Sequence, residues 1–252
     1  MPSHRSGMTL IELLVVMAIV AVLLGVLLPA LASTRDAAKQ VSCLGNAQQL
    51  LVGVYAYTAD HDGRIPAGSA DAFPLRPGTR WAQNISNWVW VVPPTAPAPM
   101  HNAHGVLLDH DYLTENSAMF CPGTDSPDYY NVELDKYRSL NTDIYSAYLY
   151  RQLDQVEGPY IEALGHNADG EPAVALFADA NSELPPPTTQ HGARVATVGY
   201  VNGSARVVDN SAGWLTARES DYVSLAALLD RLSVMLRAMD ASAETDLDDW
   251  SP

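Results

Sequence analysis

Basic residues are scarce in this 252-residue chain: 14 Lys and Arg stand against 29 Asp and Glu, for a formal charge of −15. No basic patch is present to neutralise phosphates, so nucleic acid is not expected as a direct partner. Cysteine is nearly absent too, with only Cys43 and Cys121, and their spacing makes no metal motif. No G-x-S-x-G or H-E-x-x-H signature occurs. With no nucleophile and base in a known arrangement, the chain is read as not an enzyme, and no cofactor is expected. No internal repeat is visible either.

What the chain does have is a long apolar run. Residues 7–33 read GMTLIELLVVMAIVAVLLGVLLPALAS, and from Leu13 to Ala32 no residue is charged. Twenty residues at about 1.5 Å each give roughly 30 Å of helix, the hydrocarbon thickness of a bilayer. Glu12 stands at the start of this span. An ionised side chain at the centre of a span costs about 2.5 to 3.5 kcal/mol, and less toward an end, so Glu12 is a functional candidate that needs a partner. No cation is close in sequence: Arg5 lies seven residues before it and Arg35 more than twenty after. Cleavage between Gly7 and Met8 would supply one, because the new α-amino group would lie one helical turn before Glu12, or beside the Glu12 of an adjacent copy.

These residues resemble the signal of type IV pilins and pseudopilins, which have a short polar leader, a glycine, then an apolar helix with glutamate fifth after the cut. The resemblance implies that a prepilin peptidase cuts after Gly7 and that Met8, in place of the commoner Phe, is N-methylated. It implies that Glu12 pairs with the amine of a neighbouring subunit during assembly. Pro29 sits where many pilins carry a helix-bending proline, and a ring that removes one backbone hydrogen bond accounts for such a kink. A competing reading takes the same run as an ordinary secretory signal, with Arg5 as its basic region and Ala30-Leu31-Ala32 as its cleavage site. The mature chain would then begin at Ser33 and be a secreted binding protein. A carboxylate inside the run, and a run longer than the usual ~7 to 15 residues, weigh against that alternative.

Beyond the span, Ala37, Val41, Leu44, Ala47, Leu51 and Val54 recur at helical spacing, which predicts that the helix continues with one apolar stripe facing a β-sheet. Asp60-His61-Asp62-Gly63 and Pro66 supply its stop signal. In an exported head, the natural pairing of Cys43 and Cys121 is with each other, two buried free thiols being the alternative. Trp81, Trp88 and Trp90 precede a proline-rich stretch to Pro99 that reads as a surface loop. The tryptophans are taken as anchors of a core rather than a sugar-binding platform.

His101, His104, Asp109, His110 and Asp111 invite a metal hypothesis, but their spacing matches no metal motif. GVLLDHDYLTENSAMFCPG, Gly105 to Gly123, instead resembles a segment of large pseudopilin-like proteins: a short apolar helix, Tyr-Leu, then a strand ending in Cys-Pro. Ala173 to Ala178 is a strand candidate, and Asn202-Gly203 between two β-rich runs predicts a hairpin with a two-residue type I′ turn. The stretch HGARVATVGYVNGSARVVD resembles the H-x9-DG element near the C-terminus of many prepilin-like proteins. It departs from that element in having ten residues between His191 and the turn, Asn202 for Asp, and Ser204 where His often follows. His191 is taken as a loop residue. Thr216 and Glu219 form a capping-box pattern ahead of Leu225, Leu228, Leu232, Met235 and Met239, which predicts a C-terminal amphipathic helix. The carboxylates Asp240, Glu244, Asp246, Asp248 and Asp249 all follow the last basic residue, Arg237, and read as a solvated, disordered tail.

The expectation is thus an α+β, pilin-like protein with a long N-terminal helix on an antiparallel sheet. The segments are a leader at 1–7, a transmembrane and assembly helix at 8–32, its continuation at 33–62, a head at 63–215, and a C-terminal helix with acidic tail at 216–252. The implied partners are prepilin peptidase, other pilin or pseudopilin subunits, and an assembly platform in the inner membrane. The implied location is the cytoplasmic membrane, single-pass with the head periplasmic, and then a type IV pilus or type II secretion pseudopilus.

Overall fold

The computed structural model describes residues 9–67, 85–91, 100–101, 103–109, 111–137, 139–151, 160–183 and 188–251. Gly7, Met8, Trp81, His110 and the proline-rich loop, like the side chains of Trp88 and Trp90, lie outside the described residues. The chain separates into two compact units, Met1–Lys39 and Gln40–Pro252, with helix α1 (Leu10–Asp60) contributing to both.

In the first unit α1 is apolar on every side, and sixteen large apolar side chains from Leu10 to Leu31 are all exposed. Such a surface cannot stay in water, because each of these side chains gains roughly 1.5 to 3 kcal/mol when it leaves water. Pro29 lies inside the helix. Its missing N–H deprives the carbonyl four residues earlier of a donor, while Ser33 and Thr34 turn their hydroxyls back onto the Ala30 carbonyl, at 3.0 and 2.8 Å.

In the second unit α1 is amphipathic. Cys43, Ala47, Leu50, Leu51 and Val54 are buried, whereas Val41 is 71% exposed. The expected stripe is therefore corrected by a rotation: Cys43 and Leu50 hold the inward face, and Val41 falls outside it. The helix ends with Asp62 in the left-handed region (φ 54°), while the Gly63 N–H donates across to the Thr58 carbonyl at 2.8 Å. That is the six-to-one closure of a Schellman motif, and it satisfies one of the orphan carbonyls of the last turn.

The sheet has six strands in the order β2-β1-β3-β4-β6-β7, every neighbouring pair antiparallel. They are β1 (Ile85–Val91), β2 (Met100–His101), β3 (Ile144–Arg151), β4 (Ala175–Asp179), β6 (Val195–Tyr200) and β7 (Ala205–Asp209). Two short strands, β5 (Asn181–Ser182) and β8 (Thr216–Ala217), pair in parallel beside it. Between β2 and β3 lie two short helices, α2 (Val106–Asp109) and α3 (Pro127–Lys136). Ile144, Tyr148 and Tyr150 of β3 and Leu176 and Phe177 of β4 pack with Leu50, Leu51 and Val54 of α1. A second core joins Ala175 of β4, Ala196 and Val198 of β6 and Val208 of β7 to the C-terminal helix α4 (Leu225–Ala241), through Leu236 and Met239. Helices thus cover both faces of the sheet, which is why every residue of β4 is buried.

Several expectations change. Asn116–Met119, ahead of Cys121, forms a 3-10 turn rather than a strand. The β6–β7 hairpin does not close on two residues with positive φ. The Gly203 N–H donates to the Tyr200 carbonyl at 3.0 Å, and of the turn residues only Gly203 has positive φ (81°). Val201 and Asn202 therefore sit at the centre of the turn, followed by glycine in the left-handed region, the common three-residue hairpin loop. Thr216 does not cap a helix, because β8 uses it. The N-cap of α4 is Ser224, whose hydroxyl accepts from the Ala227 N–H at 3.1 Å. The acidic end is solvated only in part: Glu244, Asp246, Asp248 and Asp249 are exposed, whereas Asp240 and Leu247 are buried and Trp250 meets Trp214 edge-on with ring centroids 5.4 Å apart.

Candidate functional site

The apolar helix begins at a local device. Thr9 precedes α1, and its backbone N–H and hydroxyl both donate to Oε2 of Glu12, at 2.7 and 2.9 Å, while the Glu12 N–H lies 3.3 Å from the Thr9 hydroxyl oxygen. This is a reciprocal capping box at T-x-x-E spacing. It holds the carboxylate beside the positive end of the helix dipole, where negative charge is stabilised. No Lys or Arg pairs with Glu12 among the described residues, so hydrogen bonds and the dipole are what stabilise it in the single chain. Thr9 and Glu12 carry the T-x-x-E signal of such a box in the sequence itself.

Cys43 of α1 and Cys121, just after the 3-10 turn, are joined by a disulfide with their Cα atoms 4.9 Å apart. Both are fully buried, and the bond ties the helix to the loop that leads into α3. His191 lies against this bond, its Nε2 3.3 Å from each sulfur. A side chain on Gly123 would overlap the His191 ring, and the His191 N–H donates to the Gly123 carbonyl at 2.9 Å. Glycine at 123 is thus what admits the imidazole.

Among the described residues, His101, His104, Asp109 and Asp111 form no cluster of metal-ligating atoms, His110 lying outside them. His101 pairs with Asp109 across their side chains. His104 is fully buried with Nε2 2.8 Å from the Ser146 hydroxyl, and burial pushes its pKa down to about 3, so it is neutral. Asp111 occupies a turn with φ 56°.

Two further polar groups escaped the sequence reading. Arg151, at the end of β3 and fully buried, forks onto Asp240 of α4, Nη1 to Oδ1 at 2.8 Å and Nη2 to Oδ2 at 3.0 Å. The Val174 and Ala175 N–H groups donate to the same carboxylate at 2.9 and 3.0 Å. Asp179, fully buried at the end of β4, accepts from the Thr197 N–H at 2.7 Å, and burial pushes its pKa up to about 7.

Comparison with known proteins places the similarity at the amino terminus. Residues 2–28 match the family model described as the prokaryotic N-terminal methylation motif. Competence protein ComGC of Halalkalibacterium halodurans is 36% identical over 63 residues, 25% of this chain and 61% of that protein. ComG operon protein 3 homolog of Bacillus licheniformis is 33% identical over 63 residues, 25% of this chain and 65% of that relative. The chain therefore spans a little over six-tenths of the length of these curated relatives. No solved structure matches.

Proposed function

We propose that this pilin-like chain, which carries the prokaryotic N-terminal methylation motif on an α+β architecture, is a structural subunit polymerised through its first helix. A prepilin peptidase cuts it between Gly7 and Met8, with methylation of the new Met8 amine. Residues 8–32 hold the subunit in the cytoplasmic membrane, with the head on the outer side. It then joins other pilin or pseudopilin subunits at a membrane assembly platform. The chain is a substrate of enzymes and has a mechanical role.

The observation that carries this reading is a carboxylate held by a capping box at the mouth of a helix whose large apolar side chains from Leu10 to Leu31 are all exposed. Leaving lipid for a bundle of like helices gains little hydrophobic free energy, because lipid tails are as apolar as leucine. The polar contact therefore decides the balance. In the membrane Glu12 is held by Thr9 and has its own chain's new amine nearby, whereas in a filament it also gains the charged Met8 amine of a neighbour, a charge-assisted contact in a medium of low dielectric. The outward head is supported by the Cys43–Cys121 bond, since such bonds persist in oxidising compartments.

The test is a pair of substitutions. Glu12→Ala is processed normally yet enters filaments at least about tenfold less than wild type, the equivalent of about 1.4 kcal/mol for one membrane-placed contact. Gly7→Leu leaves the leader attached. Wild-type incorporation of Glu12→Ala would refute the pairing mechanism.

A further inference from the structure

We propose that Cys43, Cys121 and His191 form, once their disulfide is reduced, a binding site for a thiophilic divalent cation of the zinc class. The three ligand atoms already lie within 4.8 Å of one another. Zinc binds thiolate at about 2.3 Å and imidazole nitrogen at about 2.0 to 2.1 Å in a tetrahedron, which sets sulfur–nitrogen distances near 3.6 Å and a sulfur–sulfur distance near 3.8 Å. His191 Nε2 is 3.3 Å from both sulfurs, within a few tenths of an ångström of that geometry. Only the two sulfurs must part, and reduction releases them.

The surroundings resemble those of a metal site more than those of a structural disulfide alone. The Gly123 N–H points at Cys121 Sγ from 3.4 Å, the kind of outer contact that stabilises a ligating thiolate. His191 is fixed by its own N–H to the Gly123 carbonyl, and its ring lies where Gly123 has no side chain. Beside Cys121 is a cavity of about 20 Å³ lined by Ser146, Thr188 and Gln190, room for about one water molecule. Gln190 is 3% exposed and its Oε1 has no hydrogen-bond partner among the described residues.

The chemistry balances with a dithiol as the two-electron reductant. A dithiol passes two electrons and two protons to the Cys43–Cys121 bond and leaves as its own disulfide, giving two thiols. The cation then displaces both thiol protons to solvent and takes neutral imidazole through Nε2, so the site carries no net charge. Metal binding and the disulfide are mutually exclusive states of one cluster.

The experiment uses the full chain in mild detergent, reduced with a dithiol, freed of it under argon and titrated with Co²⁺. Reduced wild type should take up one Co²⁺ per chain with a sulfur-to-cobalt charge-transfer band and the visible bands of a tetrahedral site, and oxidised wild type none. His191→Ala should bind about tenfold more weakly or worse, while His191→Cys should restore binding. Thermal melting of the oxidised variants shows that each is folded before reduction. Failure of reduced wild type to bind stoichiometric Co²⁺, or unchanged affinity in folded His191→Ala, overturns the proposal.

Discussion

Replacement of Asp240 by alanine is the sharpest test of how the C-terminal helix is held. The carboxylate receives two bonds from Arg151, two from the Val174 and Ala175 N–H groups and one from Asn167 Nδ2 at 3.2 Å. Without it, Arg151 stays fully buried and loses its bidentate anion, while the Ala175 and Leu236 carbonyls still accept from it at 2.8 and 3.4 Å. Breaking a buried pair by removing one partner costs about 3 to 5 kcal/mol, and each orphaned buried N–H adds about 1 to 3 kcal/mol if it stays dry. Water admitted to the gap relieves part of this, so we expect a loss of about 4 to 5 kcal/mol, most of the stability of a marginal domain. The assay is urea unfolding of the full chain in mild detergent, followed by tryptophan fluorescence, since Trp214 and Trp250 flank the same helix. Asp240→Leu combined with Arg151→Met should lose much less than the two single changes added together, because no charge is then stranded. A loss below about 1 kcal/mol for Asp240→Ala, or simple additivity in the double variant, would refute the reasoning.

Asp179 gives a pH signature. Its folded pKa of about 7 lies above the ordinary 3.8, so the folded state holds a proton that the unfolded chain releases, and stability falls as pH rises from about 4 to about 7 and then levels off. Asp179→Asn keeps an acceptor for the Thr197 N–H and should flatten that slope, with a gain of roughly 2 to 4 kcal/mol at pH 8 in urea midpoints. Equal slopes in both proteins would contradict the assignment. Replacing Cys43 and Cys121 together by alanine removes a cross-link across 78 residues. It should lower stability by about 4.5 kcal/mol in the chain-entropy account, measured against oxidised wild type under the same denaturant.

Features fixed by neighbours in sequence were legible. The apolar span, the stop at Asp62-Gly63, the β6–β7 hairpin and the periodicity of α4 all follow from spacings of two to four residues. Boundaries failed where a tertiary partner claimed a residue. Thr216 could cap a helix, but pairing with Asn181 draws it into β8, and Ser224, with equal capping ability, starts α4 instead. Asp240 could not be told apart from the exposed carboxylates that follow it, because its cation, Arg151, lies 89 positions earlier. The same distance problem hid His191 from the cysteines, which stand 148 and 70 positions before it. No periodicity encodes such pairs, because only the folded sheet brings them together.

The central claim is that proteolysis creates the amine that Glu12 requires. Mass spectrometry of the amino-terminal peptide from membranes that contain the processing peptidase tests it directly. The account predicts a chain beginning at Met8 with one added methyl group on its amine. A chain beginning at Ser33, or one retaining Met1 through Gly7, would contradict it.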